Sequence, residues 1–308
     1  MKIVFAATGE IAIPLMEALH KEGLISLVLT APDSPGKRGK QLVAPPVKVR
    51  ALELGLEVYQ PETIRTEARN HIASYNADAL LSFCYGKIFG PKFLSLFENT
   101  FNVHPSLLPL YRGCSPIYEA IRNCDEKTGI TLQRIGLGVD EGDVFSSIEI
   151  PLDGTETEES LSKKVSEIAP SFVLPVLLDE NRESREQSGT PSYSSFVKKE
   201  DGRIDLSSPS AAVHAQIRAC YPWPKAYALL DGEPVYLTGV YGSVFSIEHD
   251  IPQEEPGTLC AFVKGKGLKL ALSDGYIYIT RILPPMRKEM DSASFLNGRK
   301  DAIGKVLR

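Results

Sequence analysis

The sequence predicts an α/β domain built on a Rossmann-like, mostly parallel sheet, followed by a small C-terminal β-barrel of OB-like type. Three observations predict it. Short apolar runs alternate with amphipathic stretches of helical period as far as Leu178, the pattern of strands covered on both faces by helices. A polar segment rich in Ser, Glu, Arg and Gly then interrupts the pattern. Beyond Tyr221-Pro222-Trp223-Pro224, short strands separated by Gly and Asp-Gly turns take over. At 308 residues the chain is longer than a typical single domain. The expected division is a first domain over 1–185, a linker over 186–205 and a second domain over 206–308.

Each element follows from its local pattern. Lys2 to Thr8 is a short apolar run ended by Gly9, a buried strand. Glu10 to Glu22 places Ile11, Leu15, Ala18 and Leu19 at helical spacing, with Gly23 as the stop. Ile25 to Thr30 is a second strand, and the Pro/Gly/Lys loop of 31–46 fits neither period. Val47 to Leu54 and Ile64 to Tyr75 are helical, with strands at Glu57 to Tyr59 and Ala79 to Phe83. Pro91 opens a helix, and Phe101 to Val103 is a strand. A helix spans Ser115 to Asn123, and Thr131 to Ile135 and Val144 to Ile150 are strands. Thr157 to Leu178 is a long helix, expected to kink or break near Pro170 and Pro175. In the second half, Ala211 to Ala219 is helical. Strands are expected at Val235 to Thr238, Val244 to Ile247, Thr258 to Val263, Leu268 to Leu272 and Tyr276 to Leu283.

Composition narrows the function. Hydrophobic residues make up 43% and charged residues 24%, ordinary for a globular enzyme. No run approaches the length of a membrane span, and the apolar start runs into Thr8-Gly9-Glu10 rather than a cleavage site. Cys84, Cys114, Cys124, Cys220 and Cys260 are scattered without a CxxC pair, which argues against structural zinc or a disulfide framework and for a reducing cytoplasm. The net charge of −5 disfavours nucleic acid as a general partner. Residues 31–50 are the exception, holding Lys37, Arg38, Lys40, Lys48 and Arg50 against Asp33 alone; local patches, not net charge, decide phosphate contact. The first turn, Ala6 to Ala12, lacks the spaced glycines of a dinucleotide site, and no phosphate-binding P-loop is present.

Asn102, His104 and Asp140 carry the strongest chemical signal. Asn102 and His104 lie in Phe101-Asn102-Val103-His104-Pro105-Ser106-Leu107-Leu108-Pro109, and Asp140 in Gly138-Val139-Asp140-Glu141-Gly142-Asp143. Residues two apart on a strand share a face, so the amide and the imidazole can address one reacting centre. An amide donor, a titratable ring and a carboxylate that orients the ring suit acyl transfer to an amine. A histidine beside a proline is more often a satisfied loop residue, and only the surrounding residues tip the balance toward chemistry.

Those surroundings resemble the folate-dependent formyltransferases, and within that superfamily the methionyl-tRNA formyltransferases. The run Asn102 to Pro109 with the distant Asp140 carries the resemblance. So do Asp33 to Lys48, Glu57-Val58-Tyr59-Gln60-Pro61, Asp201-Gly202-Arg203-Ile204-Asp205, and Ile217 to Pro224. The resemblance implies direct attack of the amine of initiator methionyl-tRNA on the formyl carbon of 10-formyltetrahydrofolate, without a metal. Asn102 and His104 would stabilise the oxyanion, and Asp140 would orient His104 and help move the amine's proton. Ser106, Leu107, Leu108 and Pro109 would hold the folate, with Tyr85, Gly86 and the Asp140 loop around the pterin. Lys37, Arg38 and Lys40 would wedge against the tRNA acceptor end, Arg38 standing where the family places its key arginine. Lys264, Lys266 and Lys269 are weaker candidates for a second tRNA surface. Arg112 is assigned to the substrate or to a helix cap. A cytoplasmic monomer is the expectation.

The chain departs from that pattern at Ala7-Thr8-Gly9, at Lys87 and at Leu110, which leaves acceptor contacts there open. Two competing functions stand beside the first. A sugar N-formyltransferase acting on a nucleotide-linked amino sugar shares the Asn-His-Asp set, but a small substrate gives no reason for five basic residues in 31–50. A non-catalytic RNA-binding protein would have no need of the intact three.

Overall fold

The computed structural model describes residues 1–36, 42–247 and 250–308. They form two compact units, the first of Met1–Pro116, Gly129–Ile150 and Ser162–Ser194, the second of Ile117–Thr128, Pro151–Leu161 and Ser195–Arg308.

The elements of the first half run β1 (Ile3–Ala7), α1 (Ile13–Lys21), β2 (Ile25–Leu29), β3 (Ser34–Pro35), β4 (Leu42–Val43), α2 (Pro46–Glu53), β5 (Val58–Tyr59), α3 (Thr66–Ala73), β6 (Ala79–Phe83) and α4 (Pro91–Leu94). There follow β7 (Asn99–His104), β8 (Arg112–Gly113), α5 (Pro116–Arg122), β9 (Lys127–Arg134), β10 (Val144–Pro151), α6 (Glu158–Leu178) and β11 (Tyr193–Ser194). Seven strands form one sheet in the order β10-β9-β7-β6-β1-β2-β5. The pairs β5–β2, β2–β1, β1–β6 and β6–β7 are parallel, and β9 joins β7 antiparallel. The mostly parallel α/β sheet is therefore present. Every residue of β1 and β6 is buried, as expected of strands covered on both faces.

Register sets the site. Ala7 lies beside Phe83 and Phe83 beside Val103, so the loops after β1, β6 and β7 leave the sheet at neighbouring carboxyl ends, where open α/β sheets hold their ligands. Thr8 Oγ1 ties the first two together by donating to the Tyr85 carbonyl at 3.0 Å. Behind them Tyr85, Phe89, Phe93 and Phe97 form a chain of ring contacts with centroids 5.1–5.4 Å apart, a rigid apolar backing.

Two expectations about this half change. Pro170 and Pro175 lie inside one continuous helix rather than dividing it. Residues 186–205 are not a free linker: β11 pairs parallel with β8, with Tyr193 beside Arg112 and Ser194 beside Gly113, and Lys199–Gly202 form a 3-10 turn. Gly113 is required there, because at φ +116° a Cβ would stand 2.3 Å from the Ser194 carbonyl oxygen.

The second unit contains α7 (Ser210–Ala219), β12 (Ala226–Leu230), β13 (Glu233–Val240), β14 (Leu259–Val263), β15 (Gly267–Ala271), β16 (Tyr276–Leu283), β17 (Met290–Asp291) and α8 (Ser292–Gly298). Its antiparallel sheet has the order β12-β13-β16-β15-β14, with β17 beside β16. The last residues of the chain bond to both edges. Leu229 and Arg308 exchange two backbone hydrogen bonds, Leu259 N–H donates to the Lys305 carbonyl, and Leu307 N–H donates to the Gly257 carbonyl. The expected strand at Val244–Ile247 is a 3-10 turn over Val244–Ser246, because Ser243 Oγ accepts from Phe245 N–H and donates to the Asp153 carbonyl. Residues 117–128 and 151–161, expected in the first domain, belong to this unit: Arg122 Nη1 donates to the Ala212 carbonyl at 2.9 Å and Val244 N–H to the Gly154 carbonyl at 3.0 Å.

Within α7, Arg218 Nε donates to His214 Nδ1 at 3.1 Å, and both side chains are buried. Burial and the neighbouring guanidinium lower the His214 pKa to about 4. An unfolded histidine titrates near 6.5, so between these values the unfolded chain holds the extra proton. Stability is then fully present above pH 6.5 and declines as the pH falls toward 4, by about 3 kcal/mol in all. Urea midpoints between pH 7 and pH 4 should show this decline, and His214→Gln should flatten it. An equal slope in wild type and variant would remove His214 as the cause.

Candidate active site

Asn102 and His104 lie on one face of β7, with Gln133 and Thr131 of β9 opposite them. The chain leaves β9 at Ile135, whose N–H donates to the Thr100 carbonyl, and folds back so that Asp140 reaches β7. Its carboxylate is fully engaged. Oδ1 accepts from Asn102 Nδ2 at 3.2 Å and from Gln133 Nε2 at 2.7 Å. Oδ2 accepts from Gly113 N–H at 2.9 Å and lies 3.5 Å from His104 Nδ1. The amide, imidazole and carboxylate singled out in the sequence therefore meet.

His104 is 4% exposed, and its Nε2 sits 2.9 Å from the Tyr111 carbonyl. A carbonyl only accepts, so Nε2 carries the hydrogen and Nδ1 faces the carboxylate. Burial drives the His104 pKa below its ordinary value, opposed by the charge of Asp140 and by the Tyr111 carbonyl. The ring stands between two acceptors, so a proton arriving at Nδ1 finds a counter-charge beside it. Asn102 Nδ2 has a second hydrogen beyond the one given to Asp140.

Asp140 stands at φ +53°, a left-handed conformation that a non-glycine residue holds only when its surroundings fix it. Glycine two residues later permits the turn, since a Cβ on Gly142 would lie 1.8 Å from the Arg134 carbonyl oxygen. Gln187 Nε2 donates to the carbonyls of Asp140 and Gly142, each at 2.8 Å, and its Oε1 accepts from Arg112 Nη2 and Nε at 2.9 and 3.2 Å. The Arg112–Glu141 ion pair is longer, 3.4 Å, and half its acid is in solvent. A pair of that kind contributes ~0–1 kcal/mol, so the neutral bonds of Gln187 are the firmer hold.

The remaining expected residues divide. Ser106 is buried, and its hydroxyl donates to the Leu110 carbonyl at 2.6 Å; Leu108 N–H donates to Thr131 Oγ1. The loop is tied to itself, leaving half-buried Leu107 and Leu108 with buried Pro109. The Tyr85 ring is 4% exposed within the core, so Tyr85 offers its backbone rather than its ring. Gly86, at φ +84°, has open space where a side chain would stand. Ile88, Leu110, Leu137 and Val139 are exposed on the surrounding loops, apolar surface suited to a flat heteroaromatic ring.

Lys87, a departure from the expected pattern, donates to the carbonyls of Pro61 and Glu62. Arg112 holds Gln187 and Glu141 rather than capping a helix. Lys37, Arg38 and Lys40 lie outside the described residues. Of the other two basic residues in 31–50, Lys48 is paired with Asp33 at 2.8 Å and Arg50 with Glu17 and Glu53. Gln133 and Gln187 are the site residues that sequence reasoning missed, since a lone glutamine carries no local signal.

An amide donor, an imidazole and a carboxylate at the carboxyl end of an α/β sheet are the groups that acyl transfer to an amine requires. The chain belongs to the formyl transferase family: the family model "Formyl transferase" matches residues 1–177, and "Formyl transferase, C-terminal domain" matches residues 197–300. Within the family it groups with the methionyl-tRNA formyltransferases. It is 34% identical to that of Borreliella afzelii over 312 residues, covering 100% of this chain and 98% of the relative. It is 37% identical to that of Thermotoga neapolitana over 306 residues, covering 97% and 96%. The fold is shared with an N-formyltransferase from Helicobacter canadensis solved with folinic acid and dTDP-3-aminofucose (TM-score 0.63, 17% identity, 92% of this chain and 98% of that one).

Proposed function

We propose that the enzyme transfers the formyl group of 10-formyltetrahydrofolate to the α-amino group of initiator methionyl-tRNA, with Asn102, His104 and Asp140 as its catalytic residues. The meeting of an amide and a buried imidazole on one strand face with a fully bonded carboxylate from the 135–143 loop carries the reading. The amine attacks the formyl carbon, and the carbonyl oxygen takes up negative charge. The free hydrogen of Asn102 Nδ2 donates to that oxygen. His104 Nδ1 accepts the proton of the attacking nitrogen, and the resulting imidazolium is balanced by Asp140 and the Tyr111 carbonyl. Collapse of the tetrahedral centre breaks the bond to the folate nitrogen, which takes back the proton held by His104 and leaves as tetrahydrofolate. Leu107, Leu108, Pro109, the backbone at Tyr85–Gly86 and the Asp140 loop would hold the folate. Lys37, Arg38 and Lys40 would meet the acceptor end of the tRNA.

The test is a competition. With formyl-labelled 10-formyltetrahydrofolate, methionyl-tRNA and a nucleotide-linked amino sugar in one mixture, label is expected on the aminoacyl-tRNA. Arg38→Ala should weaken that reaction most at low salt, flatten its salt dependence and leave folate binding intact. Label on the sugar would replace this reading with the sugar N-formyltransferase.

A further inference from the structure

We infer that Gln187 is a positioning residue for the reaction, holding Asp140 where it can serve His104. The inference rests on the assignment of Asp140 and His104 to proton transfer.

Gln187 lies between the two stretches that match the family, yet its amide is saturated within the first unit. Both hydrogens of Nε2 go to the backbone of the Asp140 turn, at residues 140 and 142, while Oε1 receives Arg112. Its own chain is fixed on either side. Arg185 and Val144 exchange backbone hydrogen bonds of 2.8 and 3.0 Å, and Arg112 N–H donates to the Ser192 carbonyl. The turn it grips needs gripping: Asp140 is a left-handed non-glycine residue, and no regular strand or helix covers 135–143.

The side chain and backbone of Asp140 are held by different groups. Gln133, Asn102 and Gly113 hold the carboxylate, whereas Gln187 holds the peptide planes that aim it. The aim matters because Oδ2 already stands 3.5 Å from Nδ1, at the outer limit of a useful contact. A further displacement of about 1 Å is of the size that lowers rates by up to about 100-fold.

The chemistry of the amide supplies the test. Gln187→Glu keeps the shape and the partner for Arg112, but sets a carboxylate oxygen against two carbonyl oxygens. If Gln187 serves only to anchor Arg112, Glu at this position is as good or better. If it positions Asp140, Gln187→Glu and Gln187→Ala both lower kcat about 10- to 100-fold with little change in KM for folate, and both move the acid limb of the pH–rate profile to lower pH, because His104 loses part of the charge that raises its pKa. Wild-type kcat in Gln187→Glu, or reduced kcat with an unmoved acid limb, overturns the inference. Asp140→Asn is measured alongside: a wild-type rate there would overturn the underlying assignment, whereas an inactive Asp140→Asn beside a fully active Gln187→Glu overturns only the role of Gln187.

Discussion

His104→Ala is expected to lower kcat by about 10²- to 10⁴-fold, the range for loss of a positioned acid–base group. Among the described residues, no other titratable nitrogen touches the Asp140 carboxylate, whose partners are two side-chain amides and one backbone N–H. None of those can accept a proton from an ammonium centre. The wild-type acid limb should lie below the ordinary imidazole range, since burial outweighs Asp140 and Tyr111 in setting the pKa; in the variant that limb should vanish. The substitution also removes a buried ring and leaves the Tyr111 carbonyl short of one partner, so some stability is lost as well. Urea unfolding separates the effects, because a folded population above nine-tenths cannot explain a hundredfold loss. Formylation at the wild-type rate would end the catalytic assignment. Asn102→Ala should be milder, ~2.7–4 kcal/mol of barrier for one oxyanion donor.

Part of the catalytic geometry is written directly in the sequence. A strand places residues two apart on one face whatever its neighbours do, so Asn102 and His104 have to point together. Asp140 is different: only the family resemblance joins it to them, because a left-handed turn at residue 140 leaves no periodic trace. Gln133 and Gln187 are illegible for the same reason, their value arising from what stands opposite them. The segment at 186–205 reads as a linker because it is polar. Yet Gln187 and the two-residue pairing of β11 with β8 make it part of the scaffold, and two residues are too few to show a period. Val244–Ser246 misleads in the opposite direction, an apolar run whose turn is fixed by Ser243 bonding backbone on either side.

The C-terminal tail supplies the second large effect. Leu307→Ala is expected to destabilise the second unit by ~2–5 kcal/mol, as for other buried leucines. Leu307 is 2% exposed and belongs to the core built by Leu230, Leu259, Leu270 and Ile277. Its backbone bonds to Gly257, while Arg308 bonds to Leu229 and Lys305 to Leu259. These few residues thus pair with one residue on each edge strand, Leu229 of β12 and Leu259 of β14, covering part of edges able to recruit another chain. Deleting residues 305–308 removes the core leucine and the edge cover together, so it should cost more than Leu307→Ala and promote association. Around the tail, Lys305 and Arg299 pair with Asp231 and Asp301. Those side chains are partly in solvent, where ion pairs are screened and contribute little. Lys305→Ala should therefore shift the urea midpoint far less than Leu307→Ala. Equal shifts would mean that charge, not burial, fastens the tail; no shift in Leu307→Ala would mean that the unit closes without it.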